Sequence, residues 1–196
     1  MAKVKPSADN KLVVRHAAAA FGGKPQVAEY HHDTLPLSVD LLWCDGQPCE
    51  GVTAYSTVRL SDHIMYTEMG AEFPTRLELA AACRSEFDQF ANVLASASFH
   101  IIRTRSVYSP GSVLRDYVRE YYAASTVPHL YLTAPYLWEG TLTSVDCEAK
   151  KVSWLLAVPI SEAEHAFLGE NGEEALEALL EEDEVNIFDL NRPSVI

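Results

Sequence analysis

The sequence is short of the features that mark several large classes of protein. Its four cysteines, Cys44, Cys49, Cys83 and Cys147, have spacings of 5, 34 and 64 residues, which fit neither a zinc site nor a small disulfide scaffold. It has no apolar run of about 18 residues, so no membrane span is expected. The charged N-terminus has no apolar segment behind it and does not read as a secretory signal. A phosphate-binding loop, a dinucleotide fingerprint and a nucleophile elbow are also missing. These absences favour a reduced, cytoplasmic protein with no cofactor.

Basic residues are missing from one long segment. Between Val152 and Asn191 there are 11 acidic residues and no Lys or Arg, whereas the rest of the chain has 17 acidic and 15 basic residues. The net charge of −13 argues against nucleic-acid binding and against an anionic membrane surface, because both require basic protein surface. An acidic face suits a basic protein partner. The alternative is a solvated helix surface that only keeps the protein soluble.

What is present is the composition of a globular protein. The chain has 196 residues, of which 48% are hydrophobic and 22% are charged. A chain of this length can bury a core without a metal or disulfide. No repeat or linker divides it, so one compact domain is expected. Strands and helices do not alternate strictly, which predicts an α+β fold with a mixed, mostly antiparallel sheet covered by helices.

Helical periodicity predicts four helices, over residues 9–20, 85–102, from 161 onward, and 173–182. The second has the most regular apolar stripe and a capping box that begins at Ser85. The third begins with a capping box formed by Ser161 and Glu164. The first is expected to place Leu12, His16, Ala19 and Ala20 on one face.

Shorter segments predict the strands, over residues 27–31, 37–43, 52–60, 76–79, 130–133, 140–145 and 151–159. Polar and apolar side chains alternate in Arg76–Leu79, so one face of this strand is expected to be wet. The apolar run Val152–Val158 predicts a strand that is buried on both faces.

Two groups of residues could support catalysis. His31, His32 and Asp33 are of the types that bind metals, with a third ligand from one of three distant histidines, His63, His129 or His165. Adjacent strand residues point to opposite faces, so we expect His31 and His32 not to share a metal. Cys83 precedes the second helix, where a thiol can be activated. Buried packing is the alternative, and it predicts slow reaction of Cys83 with a thiol probe.

Two other groups could bind a partner protein. The acidic candidates are Glu162, Glu164, Glu181, Glu182, Asp183 and Glu184. The aromatic candidates come from a tyrosine-rich stretch and are Tyr117, Tyr121, Tyr136 and Trp138. Tyr and Trp are favoured at interfaces because they combine a large area with a polar group. Ordinary core packing is the alternative for the aromatic residues.

Four segments resemble, in the same order, segments of the suppressor of fused family. They are Tyr55–Asp62, Arg76–Leu79, Trp154–Glu164 and Asp189–Val195. The residues that carry the resemblance are Ser61, Asp62, Arg76, Glu78, Pro159, Glu164, Arg192 and Pro193. Arg59 stands where the family often has glycine.

The resemblance implies a suppressor-of-fused-like domain over residues 1–196, in the compact bacterial form. It implies a domain that binds other proteins and has no known catalytic residues. The animal relative holds transcription factors, and bacterial relatives are thought to be immunity proteins. The resulting hypothesis is a non-catalytic immunity protein that neutralises a basic toxin domain. A regulator of an endogenous protein and a metal-dependent or thiol enzyme remain as alternatives.

The position of Arg192 in the sequence predicts a structural role. It is the first basic residue after the long acidic segment. A guanidinium can bind a carboxylate through two parallel hydrogen bonds. We therefore expect Arg192 to pair with an acidic side chain or with backbone carbonyls, and to pin the C-terminal tail to the domain.

Overall fold

One mixed sheet organises the protein. The computed structural model describes residues 6–182 and 185–196. The strands are β1 Gln26–His31, β2 Ser38–Asp45, β3 Val52–Val58, β4 Thr75–Arg84, β5 Val113–Leu114, β6 His129–Thr133, β7 Val145–Asp146 and β8 Lys151–Ile160. Their order is β1-β2-β3-β4-β8-β6-β5, and β7 pairs with the start of β8. Only the β4–β8 pair is parallel among the described pairs. The predicted α+β fold with a mostly antiparallel mixed sheet is confirmed.

Four helices accompany the sheet, and serine caps mark the start of α1 and α3. They are α1 Ala8–Phe21, α2 Phe90–Thr104, α3 Glu162–Asn171 and α4 Glu173–Glu182. The capping box of Ser161 and Glu164 is confirmed at the start of α3. The box predicted at Ser85 is wrong, because α2 begins at Phe90 after a turn and its cap residue makes no side-chain hydrogen bond.

The core lies in two layers, one on each face of the sheet. Alternate residues of β4 belong to different layers, with Leu79 and Ala81 in one and Ala80 and Ala82 in the other. Helix α2 packs in the first layer and α1 in the second. The α1 side chains in the core are Val13, Ala17 and Phe21. The buried side of α1 is therefore not the face that groups Leu12, His16, Ala19 and Ala20, and Leu12 is 38% exposed.

The central strands are buried on both faces. This confirms the prediction for β8. The solvent-exposed face predicted for Arg76–Leu79 is wrong, because Glu78 is fully buried. The strand predicted at 140–145 is mostly a turn, and only Val145–Asp146 pairs with β8. Among the helices of the described residues, none combines the length and hydropathy that a membrane span requires.

Candidate protein-binding site

The C-terminal segment is tied to α3 by a buried ion pair. Glu164 is fully buried, and Arg192 is 3% exposed. Nη1 and Nη2 of Arg192 donate to the two carboxylate oxygens of Glu164 at 2.6 and 2.8 Å. Nη2 also donates to the carbonyl of Pro159 at 3.0 Å, and Nη1 to that of Pro193 at 3.0 Å. The expected pairing of Arg192 is confirmed by these contacts.

The same carboxylate is also the acceptor of backbone groups. The N–H of Ser161 donates to Oε2 at 2.8 Å, and the N–H of Val195 donates to Oε1 at 3.1 Å. Burial by itself would raise the pKa of Glu164, but the hydrogen bonds and charge of Arg192 and these N–H groups outweigh it and hold the pKa below its ordinary value. Glu164 is therefore enclosed in the fold, and it cannot touch a partner as the sequence analysis expected.

A second buried carboxylate joins β3 to β4. The hydroxyl of Thr57 donates to Glu78 at 2.5 Å, and the N–H of Ser61 donates to its other oxygen at 3.0 Å. Burial raises the pKa of Glu78, against the effect of these hydrogen bonds. The ammonium of Lys150 lies 2.6 Å from Asp62 and 3.0 Å from the hydroxyl of Ser61.

Arg76, another residue of the shared motifs, is also held by neighbours. It donates to the carbonyl of Phe73 at 2.9 Å and to Glu72 at 2.5 Å. Contacts between the shared motifs join Ser61 to Glu78, and Arg192 to Glu164 and Pro159.

A groove beside α2 brings together two groups that the sequence analysis treated separately. This α2 groove has a volume of about 440 Å³. It is lined by Tyr30, His31, His32, Asp33, Asn92, Ala95, Ser96, Phe99, His100, Arg103, Tyr117, Glu120 and Tyr121. The candidate metal cluster and two of the candidate tyrosines therefore share one surface, although they are about 85 residues apart in the sequence.

The rings of the α2 groove are held by their neighbours. Tyr121 shares a 2.7 Å hydrogen bond with Ser96, and the rings of Tyr117 and His100 lie 5.6 Å apart. Burial raises the pKa of Tyr117 to about 12, so its hydroxyl stays neutral. Nδ1 of His32 accepts hydrogen bonds from the N–H groups of Thr34 and Leu35. His32 thereby caps a turn, and that nitrogen is occupied.

A different trio comes closer to the geometry of a metal site. His129, Glu162 and His165 have ligand atoms within 4.8 Å of one another, and the described residues contain no other such group. Nδ1 of His129 accepts the N–H of Asp116 at 2.9 Å, so the ring proton is on Nε2, which donates to Glu162 at 2.7 Å. This hydrogen bond lowers the pKa of Glu162. A metal on Nε2 would displace that proton while Nδ1 still faces an N–H donor, so the contacts favour the hydrogen bond between His129 and Glu162 over a metal site.

Cys83 lies inside β4 and not at the start of a helix. It is fully buried, and its thiol donates to the carbonyl of Phe188 at 3.5 Å. Burial raises the pKa of the thiol. The environment therefore holds the sulfur in the unreactive S–H form.

A second groove opens on the opposite face of the sheet, between β6, β8 and α4. This α4 groove has a volume of about 510 Å³. It is lined by Tyr131, Thr133, Tyr136, Leu137, Val158, Glu177, Leu180, Glu181, Val185, Ile187 and Phe188. It includes two predicted site residues, Tyr136 and Glu181, and Tyr136 is 47% exposed.

Glu177 is the feature of the α4 groove that sequence reasoning missed. Its Oε1 accepts hydrogen bonds from the hydroxyls of Tyr131 at 2.8 Å and Thr133 at 2.5 Å. Both donors are buried in the sheet. Helical spacing could have found it, because Glu177 lies three residues before Leu180 and shares its side of the helix.

The remaining residues predicted to bind a partner differ in their burial. Trp138 is 5% exposed, and its ring packs 4.4 Å from that of Phe21, so it belongs to the core. Glu162 and Glu182 are exposed, and Glu162 also pairs with Arg115 at 3.1 Å. Two further candidates, Asp183 and Glu184, lie outside the described residues.

Comparisons with known proteins agree on a family. The model of the family described as suppressor of fused protein (SUFU) matches residues 36–193. Immunity protein YqcF of Bacillus subtilis (strain 168) is 38% identical over 188 residues, which cover 96% of this chain and 97% of YqcF.

Solved structures show the same fold. A SUFU homolog from Neisseria gonorrhoeae FA 1090 matches with a TM-score of 0.68 and 15% identity, over 95% of this chain and 96% of that one. A Sufu–Fu complex matches with a TM-score of 0.71 and 14% identity, over 97% of this chain and 93% of that one. At these identities the structural likeness concerns the fold alone.

Proposed function

Because this chain belongs to the suppressor of fused family, we propose that it is a non-catalytic immunity protein that binds a toxin domain and neutralises it. The observation that carries the proposal is the similarity to immunity protein YqcF over nearly the whole of both chains. That similarity is one of sequence, at 38% identity, and not of fold alone. It is therefore stronger support for a shared role than fold likeness, which is compatible with many functions.

Three of the candidate catalytic residues have structural tasks, which supports a binding role. The Cys83 thiol is buried in β4. His32 caps a turn through Nδ1, and both ring nitrogens of His129 are engaged in hydrogen bonds. A nucleophile or general base must instead be free to meet a substrate.

The charge distribution supports a basic partner. Helices α3 and α4 contain acidic residues and no Lys or Arg. Glu162, Glu181 and Glu182 are at or near the surface of these helices. Complementary charge accelerates the encounter with a basic surface and disfavours wrong partners. We also propose a cytoplasmic location, because four free cysteines suit a reducing compartment.

Co-expression with the product of an adjacent toxin gene tests the proposal. We expect the wild-type protein to restore growth of cells that express the toxin domain. We also expect the purified protein to form a stable complex with a catalytically inactive form of that domain. An unrelated immunity protein of similar charge is the matched control, since it separates specific binding from general attraction between opposite charges.

Two results would contradict the proposal. One is growth arrest that continues although the protein is present at the same level as the toxin. The other is the absence of a complex between the purified proteins in low salt, where attraction between opposite charges is strongest.

A further inference from the structure

The α4 groove combines apolar walls with one acidic side chain at its base. Its walls include Leu137, Leu180 and Phe188, and Glu177 lines it from α4. The two sheet residues beneath, Tyr131 and Thr133, are 0% and 3% exposed. Their hydroxyls fix the position of the carboxylate, because both donate to the same oxygen. This is a built site on a helix and a sheet, with a preset orientation of its polar group.

The two carboxylate oxygens of Glu177 differ in their contacts. Oε1 accepts two hydrogen bonds, whereas Oε2 makes none with the described residues. Oε2 is not one of the buried unpaired polar atoms of the described residues, so a cationic donor that enters the groove can reach it. Tyr136 lines the same groove and is 47% exposed. Its hydroxyl oxygen can accept a further hydrogen bond from the same ligand.

The charges around the groove have one sign. Glu177 and Glu181 line it, and none of its described lining residues is Lys or Arg. Burial, with the charge of Glu177 as a second cause, raises the pKa of Tyr136 to about 12, so the Tyr136 hydroxyl is neutral and lies within the field of the carboxylate. The α2 groove is different, because Arg103 lines it together with Asp33 and Glu120.

We propose that the α4 groove receives an arginine side chain from the surface of the toxin domain, with its alkyl stem against the apolar walls and its guanidinium on Oε2 of Glu177. This inference rests on the proposed function and specifies how the partner is recognised. Arginine fits better than lysine because its planar, weakly hydrated head also stacks on aromatic rings, here Tyr136 and Phe188.

The first test compares two variants that remove the same charge from the same helix. Glu177→Gln keeps an acceptor for Tyr131 and Thr133 but loses the charge in the groove. Glu174→Gln removes a charge at an exposed position that does not line the groove. We expect both to lower the association rate for the inactive toxin domain slightly and equally. Only Glu177→Gln should also dissociate faster, with a Kd raised roughly tenfold or more.

The second test needs no toxin. Butylguanidinium is the probe, and butylurea is a control of nearly the same shape without the charge. We expect butylguanidinium at millimolar concentration to give saturable NMR shifts at Leu137, Val158 and Leu180. Butylurea should bind more weakly than butylguanidinium to the wild-type protein. This difference in affinity between the two probes should vanish in Glu177→Gln.

The outcomes separate this inference from the proposed function. If the wild-type protein binds and neutralises the toxin while Glu177→Gln dissociates like the wild type, the groove inference is overturned and the proposed function stands. If the wild-type protein does not bind the toxin, the proposed function fails and the arginine cannot be the toxin's. The butylguanidinium titration then decides the chemistry of the groove: a saturable response that requires Glu177 supports a guanidinium site, and no response overturns it.

Discussion

Arg192 holds a positive charge inside the protein, and Glu164 compensates it. Removing one partner of a buried ion pair leaves the other charge without compensation, which costs about 3–5 kcal/mol. We expect Arg192→Ala to lower the free energy of unfolding by about this amount at neutral pH. Sequence reasoning suggests only about 1–3 kcal/mol for the loss of a charged hydrogen-bond partner. The difference arises because the carboxylate left behind is fully buried. Urea denaturation followed by circular dichroism measures it.

A double variant provides the control for Arg192. When Glu164 and Arg192 are replaced together by leucine and methionine, no buried charge remains, and much of the stability should return. A double variant as unstable as Arg192→Ala would show that the hydrogen bonds to Pro159 and Pro193, and not the charge pair, hold the tail in place.

The same pair predicts a dependence of stability on pH. The pKa of Glu164 in the folded protein lies below its ordinary value of 4.5. A carboxyl with a lowered folded pKa contributes stability above its unfolded pKa, and that stability is lost as the pH falls through the folded pKa. The difference in unfolding free energy between the wild type and Arg192→Ala should therefore shrink as the pH falls below 4.5. A difference that stays constant from about pH 7 to about pH 3 would contradict this account.

Cys83 should react slowly with a thiol probe in the folded protein. It is fully buried and its thiol pKa is raised by burial, whereas Cys49 is exposed. Cys49 therefore serves as an internal control in the same sample. Mass spectrometry of peptides after brief labelling should find Cys49 modified and Cys83 unmodified until denaturant is added. Equal labelling of both in native protein would mean that β4 opens readily.

The burial of Glu78 could not be predicted from the sequence. The alternation around Glu78 is typical of a half-exposed strand, yet Glu78 is buried because Thr57 and the N–H of Ser61 satisfy its oxygens. Those donors come from β3 and the turn after it. Their proximity depends on the pairing of β3 with β4, which periodicity in one strand cannot reveal.

At the scale of elements, two serine caps allow a matched comparison. Ser7 caps α1 through the N–H of Asn10, and Ser161 caps α3 through the N–H of Glu164. Replacing either by alanine should cost about 1 kcal/mol. Ser161→Ala should cost more, because this hydroxyl also shares a hydrogen bond with Ser194. Thermal denaturation of the two variants measures which one loses more stability. A larger loss of stability in Ser7→Ala would contradict the prediction.

Helix positions followed from the sequence better than helix faces did. The apolar stripe predicted for α2 is buried, because its long side chains leave one possible inner face. In α1 the alanines make several faces nearly equivalent. The contact of Phe21 with Trp138 is part of the side that faces the sheet, and this contact joins residues more than 100 positions apart.

For the whole molecule, the sequence predicted the fold class but not which surfaces come together. The α2 groove joins His31 to Tyr117, and the α4 groove joins Tyr131 to Glu177. The α2 groove is formed by the end of β1, by α2 and by the segment between β5 and β6. The α4 groove is formed by β6, β8 and the segments that follow them. The acidic segment was visible from composition, but only the fold shows that Glu164 is enclosed while Glu181 lines a groove.

The last prediction concerns long-range attraction between this protein and its toxin. Glu181 and Glu182 lie at the end of α4, where no described basic residue of α3 or α4 offsets them. Replacing both by lysine should slow association with the toxin domain and weaken its dependence on salt, because exposed charges act mainly on the encounter rate and are screened over about 8 Å at physiological salt. Stability should change little, since lysine near a helix C-terminus suits the helix dipole. Replacing Glu50 and Glu68, which are exposed in loops, by lysine changes the net charge equally and serves as the control. Stopped-flow rates across a salt series measure both variants. If the association rate depends equally on salt concentration in the two variants, the overall charge attracts the toxin. If the dependence is weaker in the α4 variant alone, the attraction is located at the acidic helices.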